Sequence, residues 1–227
     1  MSAQRRSRKP LRIGLFGGTF DPIHNGHLAV ARAARRRLGL DRIYFVPCGR
    51  PPHKDRPGLS PYLHRFTMVA LACAGVAAFL PSLLEAGPDL SGRRRYYSIE
   101  SVRRLRRRFG PRVRVHFLMG ADSFLYLPEW KDFRRLICLC DFVVADRPGY
   151  PLDHAGQVLP ADVAGRRVKG SALRLPHSTI YFLNGVQRNI SATQIRRAVR
   201  RGRSLRGRVP PLVADYIETM GLYQEAR

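Results

Sequence analysis

The chain has 227 residues, 44% hydrophobic and 25% charged, a globular composition that excludes collagen-like, mucin-like and wholly disordered chains. Its net charge of +25 is carried almost entirely by arginine, since Lys9, Lys54, Lys131 and Lys169 are its only lysines. Such a surface attracts polyanions of any kind, and an arginine bias displayed on solvated faces would produce it equally well.

In chain order, residues 1–10 are basic and lack an apolar core, so they read as a disordered tail rather than a secretory signal. Residues 11–224 read as one domain. Residues 11–16 form a short apolar strand that ends at Gly17-Gly18. A helix is predicted over 26–38, a strand over 42–47 and a proline-rich loop over 48–59. Residues 66–84 carry no charge and are long enough to cross a bilayer. Gly75 and Pro81 interrupt them, however, and Ser60-Pro61 reads as an N-cap followed by proline at the first helical position. Tyr62, Phe66, Val69, Ala70 and Cys73 then recur at helical spacing, which predicts a core-facing helix instead.

Residues 79–95 read as irregular. A helix is predicted over 98–109, with Ile99, Val102, Leu105 and Phe109 inward and arginines outward. Strands are predicted over 112–119, 141–145 and 179–183, with a helix over 130–137 and a variable connection over 150–175. Closing helices are predicted over 191–201 and 210–220. Alternating strands and helices predict an α/β fold, a Rossmann-like doubly wound parallel sheet with helices on both faces. The four cysteines, Cys48, Cys73, Cys138 and Cys140, form no C-x-x-C pair, so buried free thiols in a reducing cytoplasm are expected.

Ligands in such sheets sit beyond the carboxyl ends of the strands. After the first strand comes Gly17-Gly18-Thr19-Phe20-Asp21-Pro22-Ile23-His24-Asn25-Gly26-His27. Glycines let the backbone approach phosphate oxygens, and the following helix aims its N-terminal N–H groups at the same place. His24 and His27 are one helical turn apart and can both donate to a phosphate. A metal pair would need a third ligand, and none is evident. Neither G-x-x-x-x-G-K-[ST] nor G-x-G-x-x-G occurs. A second signal is Asn189-Ile190-Ser191-Ala192-Thr193-Gln194-Ile195-Arg196. Here Ser191 and Gln194 fit a capping box that opens a helix with a first-turn arginine.

Together, GGTFDP-x-H-x-GH and ISAT-x-x-R resemble the bacterial nicotinate-nucleotide adenylyltransferases of the (H/T)-x-G-H nucleotidyltransferase superfamily. Pro51-Pro52-His53-Lys54, Gly120-Ala121-Asp122-Ser123, Trp130 and Arg147-Pro148-Gly149-Tyr150-Pro151 follow in the family's order, and residues 216–223 look familiar as well. Tyr96-Tyr97-Ser98 stands where the family commonly has Ser-Tyr-Thr.

The resemblance implies transfer of the adenylyl group of ATP to nicotinate mononucleotide, giving nicotinate adenine dinucleotide and pyrophosphate. Mg²⁺ would arrive with ATP, and no metal site of the protein's own is expected. The implied catalytic residues are His24, His27, Lys54 and Arg196. ATP would meet Gly17, Gly18, Thr19, Phe20, His24, His27, Ile190, Ser191, Thr193 and Arg196. The mononucleotide would meet Gly17, Lys54, Ser98, Gly120, Asp122, Trp130, Lys131 and Arg147. Asp122 would accept from a ribose and Trp130 would stack on the pyridine ring. A cytoplasmic enzyme is expected, with no membrane partner and a homo-oligomer left open. Acceptors of the same superfamily, nicotinamide mononucleotide and phosphopantetheine, are the near alternatives. A nucleic-acid-binding protein is the distant one, although no RRM, KH or zinc-finger pattern occurs.

Overall fold

The computed structural model describes residues 9–49, 58–88, 90, 94–146, 158–163, 166–168, 172–186 and 189–224. Residues 1–8 of the expected tail lie outside these. The strands are β1 (Arg12–Gly18), β2 (Arg42–Pro47), β3 (Phe79–Pro81), β4 (Arg114–Gly120), β5 (Asp141–Ala145), β6 (Arg166–Val168), β7 (Ala172–Arg174) and β8 (Thr179–Leu183). The helices are α1 (Asn25–Leu38), α2 (Tyr62–Cys73), α3 (Ser98–Phe109), α4 (Ala121–Phe124), α5 (Phe133–Leu136), α6 (Ala192–Arg200) and α7 (Pro211–Thr219).

All strands join one sheet in the order β3-β2-β1-β4-β5-β8-β7-β6. The six from β3 to β8 are parallel, which is the doubly wound arrangement expected. Alternation along the strands divides the core. Ile13, Leu15, Phe117 and Phe142 face α3, α4 and α5, whereas Phe16, Phe45, Leu118 and Val143 face α1, α2, α6 and α7. The chain leaves β1 toward β2 and leaves β4 toward β5. A crevice therefore opens between the ends of β1 and β4, where such sheets bind ligands.

Several boundaries differ from expectation. β3 lies within the segment read as irregular, and β6 and β7 form an antiparallel edge in the segment read as a connection. Three-residue edge strands are too short to show alternation, and Pro81 is tolerated because it ends an edge strand. Of the helix predicted over 130–137 only the short α5 forms, and a 3-10 turn at Leu127–Glu129 precedes it, with Trp130 between them. Asp132 there adopts a left-handed φ of 54°, which no continuous helix allows.

α2 starts one residue later than expected, with Pro61 rather than Ser60 at the cap position. Its buried face is Tyr62, Arg65, Met68, Val69, Ala72 and Cys73, whereas Phe66 and Ala70 are only half-buried. Among the described residues, no helix is long and apolar enough to cross a membrane. The cysteines are free, but only Cys73 and Cys140 are buried. Cys138 is exposed because it falls on the outer side of the turn after α5, and Cys48 is intermediate.

Candidate active site

β1 continues through Gly17 and Gly18, which pair with Val46 and Pro47, so both glycines sit at the sheet's carboxyl edge. The next residues turn sharply: Phe20 takes a left-handed φ of 50° and the Asp21–Pro22 peptide is cis. The Phe20 ring is buried and meets the edge of His27 at 5.1 Å between centroids. Of the residues expected around ATP, Phe20 therefore has only its backbone to offer a ligand, while its side chain props His27.

His24 occupies the N-cap of α1 and His27 its third position. The His24 backbone N–H donates to His27 Nδ1 at 3.2 Å, and the rings stack at 3.7 Å between centroids. With Nδ1 accepting, a neutral His27 carries its proton on Nε2 and presents it as a donor. Gly26 makes room for this arrangement. A Cβ there would lie 2.9 Å from His24 Nδ1 and 3.8 Å from the Ile190 carbonyl.

That proximity brings the second motif to the first. Ser191 caps α6 by accepting from the Gln194 N–H at 3.2 Å, and Gln194 Oε1 accepts from the Ser191 N–H at 2.9 Å. The sequence-level capping box is thus present. Arg196 reaches from α6 to donate to the Asp21 carbonyl at 2.6 Å and to Thr193 Oγ1 at 3.4 Å. Two helix N-termini and two imidazoles converge beside the end of β1, an arrangement suited to an anion.

Of the residues expected around the mononucleotide, Gly17, Ser98, Gly120, Asp122, Trp130 and Lys131 are described. A Cβ on Gly17 would meet Phe117 at 3.5 Å, and Phe117 packs edge-on against the half-buried Trp130 at 5.5 Å. Gly120 ends β4, and a Cβ there would lie 2.5 Å from Asp122 Oδ1, so the Asp122 carboxylate folds back over the strand end. Ser98 opens α3, and Lys131 places its ammonium over the ring of the preceding Tyr97 at 4.3 Å. Lys54 and Arg147, with the segments that carry them, lie outside the described residues. Among the described residues, no cluster of three or more His, Cys, Asp or Glu side chains is placed to hold a metal ion.

Three supporting groups had not been singled out from the sequence. Arg65 is buried and donates to the carbonyls of Ser60, Thr19, Cys48 and Gly49. Tyr223 donates to Asp21 Oδ1 at 2.7 Å, and burial together with Asp21 pushes its phenol pKa up. Glu85 is buried, which pushes its carboxyl up to about 7 against the opposing effect of bonds from Ser101 and the Gly49 backbone. Helical spacing from Tyr62 places Arg65 on the inward stripe of α2, a signal that was available in the sequence.

Comparison with known proteins bears on all of this. A profile of the cytidylyltransferase-like family matches residues 15–198. The chain is similar to the protein named probable nicotinate-nucleotide adenylyltransferase of Geobacter sp. (strain M21), with 39% identity over 96% of this chain and 100% of that one. It is also similar to the protein of the same name from Syntrophotalea carbinolica, with 40% identity over 94% of this chain and 98% of that one. Among solved structures, the nicotinic acid mononucleotide adenylyltransferase of Plasmodium falciparum complexed with NaAD superposes with a TM-score of 0.71. That match covers 94% of this chain and 97% of the other at 18% identity, and so shows the shared fold.

Proposed function

The chain belongs to the cytidylyltransferase-like nucleotidyltransferases and, within them, to the nicotinate-nucleotide adenylyltransferase family; from that premise we propose how its site works. The enzyme joins the adenylyl group of ATP to nicotinate mononucleotide, releasing pyrophosphate and forming nicotinate adenine dinucleotide. The 5′-phosphate of the mononucleotide attacks the α-phosphorus in line. The attacking group is already an anion, so neither a general base nor a covalent nucleophile is needed, and catalysis consists of positioning and charge stabilisation.

The observation that carries this reading is the His24–His27 stack at the start of α1, joined to α6 by the Arg196–Asp21 bond. His27 donates from Nε2 to the phosphates in transfer, and His24 lies beside it. Gly17, Gly18, Thr19 and the backbone of Phe20 approach the phosphates. Ile190, Ser191, Thr193 and Arg196 border the ATP side, and Lys54 is assigned to the phosphates by the family resemblance alone. Gly120, Asp122, Ser98, Lys131 and Arg147 surround the mononucleotide, whose pyridine ring stacks on Trp130. Magnesium enters as part of the MgATP substrate, held by phosphate and water oxygens. A cytoplasmic setting suits the four free thiols, Cys48, Cys73, Cys138 and Cys140.

The test is pyrophosphate release from MgATP with nicotinate mononucleotide, nicotinamide mononucleotide and phosphopantetheine in turn. The expected result is the highest kcat/KM with nicotinate mononucleotide. A preference for phosphopantetheine would refute the reading.

A further inference from the structure

A pocket of about 360 Å³ opens beside α6, within the range of small-molecule sites, about 300–1,000 Å³. Such pockets are mostly apolar, but this one is lined by Arg197, Arg201, Arg203 and Arg208, with the amides of Asn189 and Gln194. Among the described residues, no acidic side chain lines it, and no carboxylate pairs with any of the four guanidiniums. Arginines elsewhere find acceptors in the protein: Arg104 donates to Leu84 O at 2.7 Å and Arg106 to Leu139 O at 3.1 Å. Among the described residues, none of the four guanidiniums does so. A cleft lined by one sign of charge focuses its field and concentrates ions of the other sign.

Local helix rules assemble this pocket. Gln194, Arg197, Ala198 and Arg201 recur at intervals of three and four residues, so they share one face of α6. Arg196 falls on the opposite side, where it reaches the Asp21 carbonyl. α6 ends in a left-handed turn at Gly202, with φ 60°. There the Gly202 N–H donates to Val199 O at 2.9 Å and the Arg203 N–H to Ala198 O at 2.8 Å, which folds the chain back and brings Arg203 beside Arg197 and Arg201. The wall that carries Arg208 is held from α1: the Asn25 N–H donates to Arg208 O at 2.8 Å and Asn25 Nδ2 to Gly207 O at 2.9 Å. The backbone under all four arginines is therefore set in advance, which lowers the cost of ordering them around a ligand.

We propose that this pocket binds a compact polyphosphate anion at a site separate from that of adenylyl transfer. A guanidinium meets phosphate oxygens as a planar fork, and four forks around one concavity match several linked phosphates better than a single ion. The enclosed shape suits a small anion rather than a nucleic-acid strand, whose contacts would run along an extended surface. The separation of the two sites rests on the adenylyl-transfer reading, in which Arg196 grips ATP from the opposite side of α6. Ile190 borders both, so the sites are neighbours.

The experiment is calorimetric titration of inorganic tripolyphosphate into the protein saturated with nicotinate adenine dinucleotide, which fills the transfer site. Saturable binding is expected. The double variant Arg201→Gln, Arg203→Gln should weaken it by at least about tenfold, through loss of two charge-assisted contacts. The double variant Arg103→Gln, Arg107→Gln removes the same charge from exposed positions of α3 and should change the affinity by less than about threefold. Circular dichroism confirms that both variants are folded. No binding to the dinucleotide-filled protein, equal weakening in the two variants, or affinity for a DNA duplex with none for tripolyphosphate would overturn the proposal. Failure of the dinucleotide itself to bind would instead overturn the adenylyl-transfer reading. Titration of the empty protein and both variants then still decides whether the pocket takes tripolyphosphate, so the two failures are distinguishable.

Discussion

The backbone N–H of His24 donates to Nδ1 of His27 at 3.2 Å, while the two imidazoles stack 3.7 Å apart. The bond both caps α1 and fixes the His27 tautomer, so the helix start and the donor proposed for the phosphates are one arrangement. His27→Ala should lower kcat by about two to three powers of ten, the usual cost of losing one charge-stabilising donor. Steady-state turnover of a variant shown to be folded by circular dichroism checks this. A near-normal rate would remove His27 from the phosphates.

Trp130 is half-buried and packs edge-on against Phe117 at 5.5 Å between ring centroids. Trp130→Ala should raise KM for the mononucleotide by about tenfold, the size of a lost aromatic stack, and KM for ATP much less. Equal changes in both would assign the ring to the core.

Glu85 gives a pH prediction with a definite sign. Burial raises its carboxyl from the ordinary 4.5 to about 7. The folded state therefore binds a proton that the unfolded chain releases, and this favours folding most at acid pH. The stabilisation is fully present below 4.5 and fades by about 7, amounting to about 3 kcal/mol. Urea unfolding of Glu85→Gln should lack that part of the pH slope. An unchanged slope between the two proteins would contradict the assignment.

Tyr223 ties the end of the chain to the motif after β1 through its 2.7 Å bond to Asp21 Oδ1, and it also approaches Met68 Sδ at 3.8 Å. Tyr223→Phe leaves that carboxylate oxygen without its donor, at a cost of about 1–3 kcal/mol in stability. Denaturant midpoints measure the loss, and kcat should fall several-fold as the turn that carries Asp21 loosens. Wild-type stability and rate would show the bond to be dispensable.

Much of this is legible in the sequence. The periodicity of Ile99, Val102, Leu105 and Phe109 marks α3, because that stripe is long enough to repeat, and Ile99, Val102 and Leu105 are buried as expected. His24 and His27 could be paired from spacing alone, and Ser191 with Gln194 from the capping box. What stayed hidden depends on contacts between distant segments. Spacing places Arg65 on the inward stripe of α2, but its acceptors Thr19, Cys48 and Gly49 come to it only through the fold. Asp21 meets Tyr223 only when the two ends of the domain pack together. The three-residue strands β3, β6 and β7 are too short to carry a period, and Asp132, at a left-handed φ, interrupts the segment read as one helix over 130–137.

The central claim is that phosphoryl chemistry occurs against the His24–His27 stack, between the ends of β1 and β4. A crystal structure of the protein with nicotinate adenine dinucleotide tests it most directly. The account predicts the bridging phosphates beside His27 Nε2, the adenylate half along α1 and α6, and the pyridine ring on Trp130. A dinucleotide bound elsewhere, with His24 and His27 making no contact to it, would contradict the account.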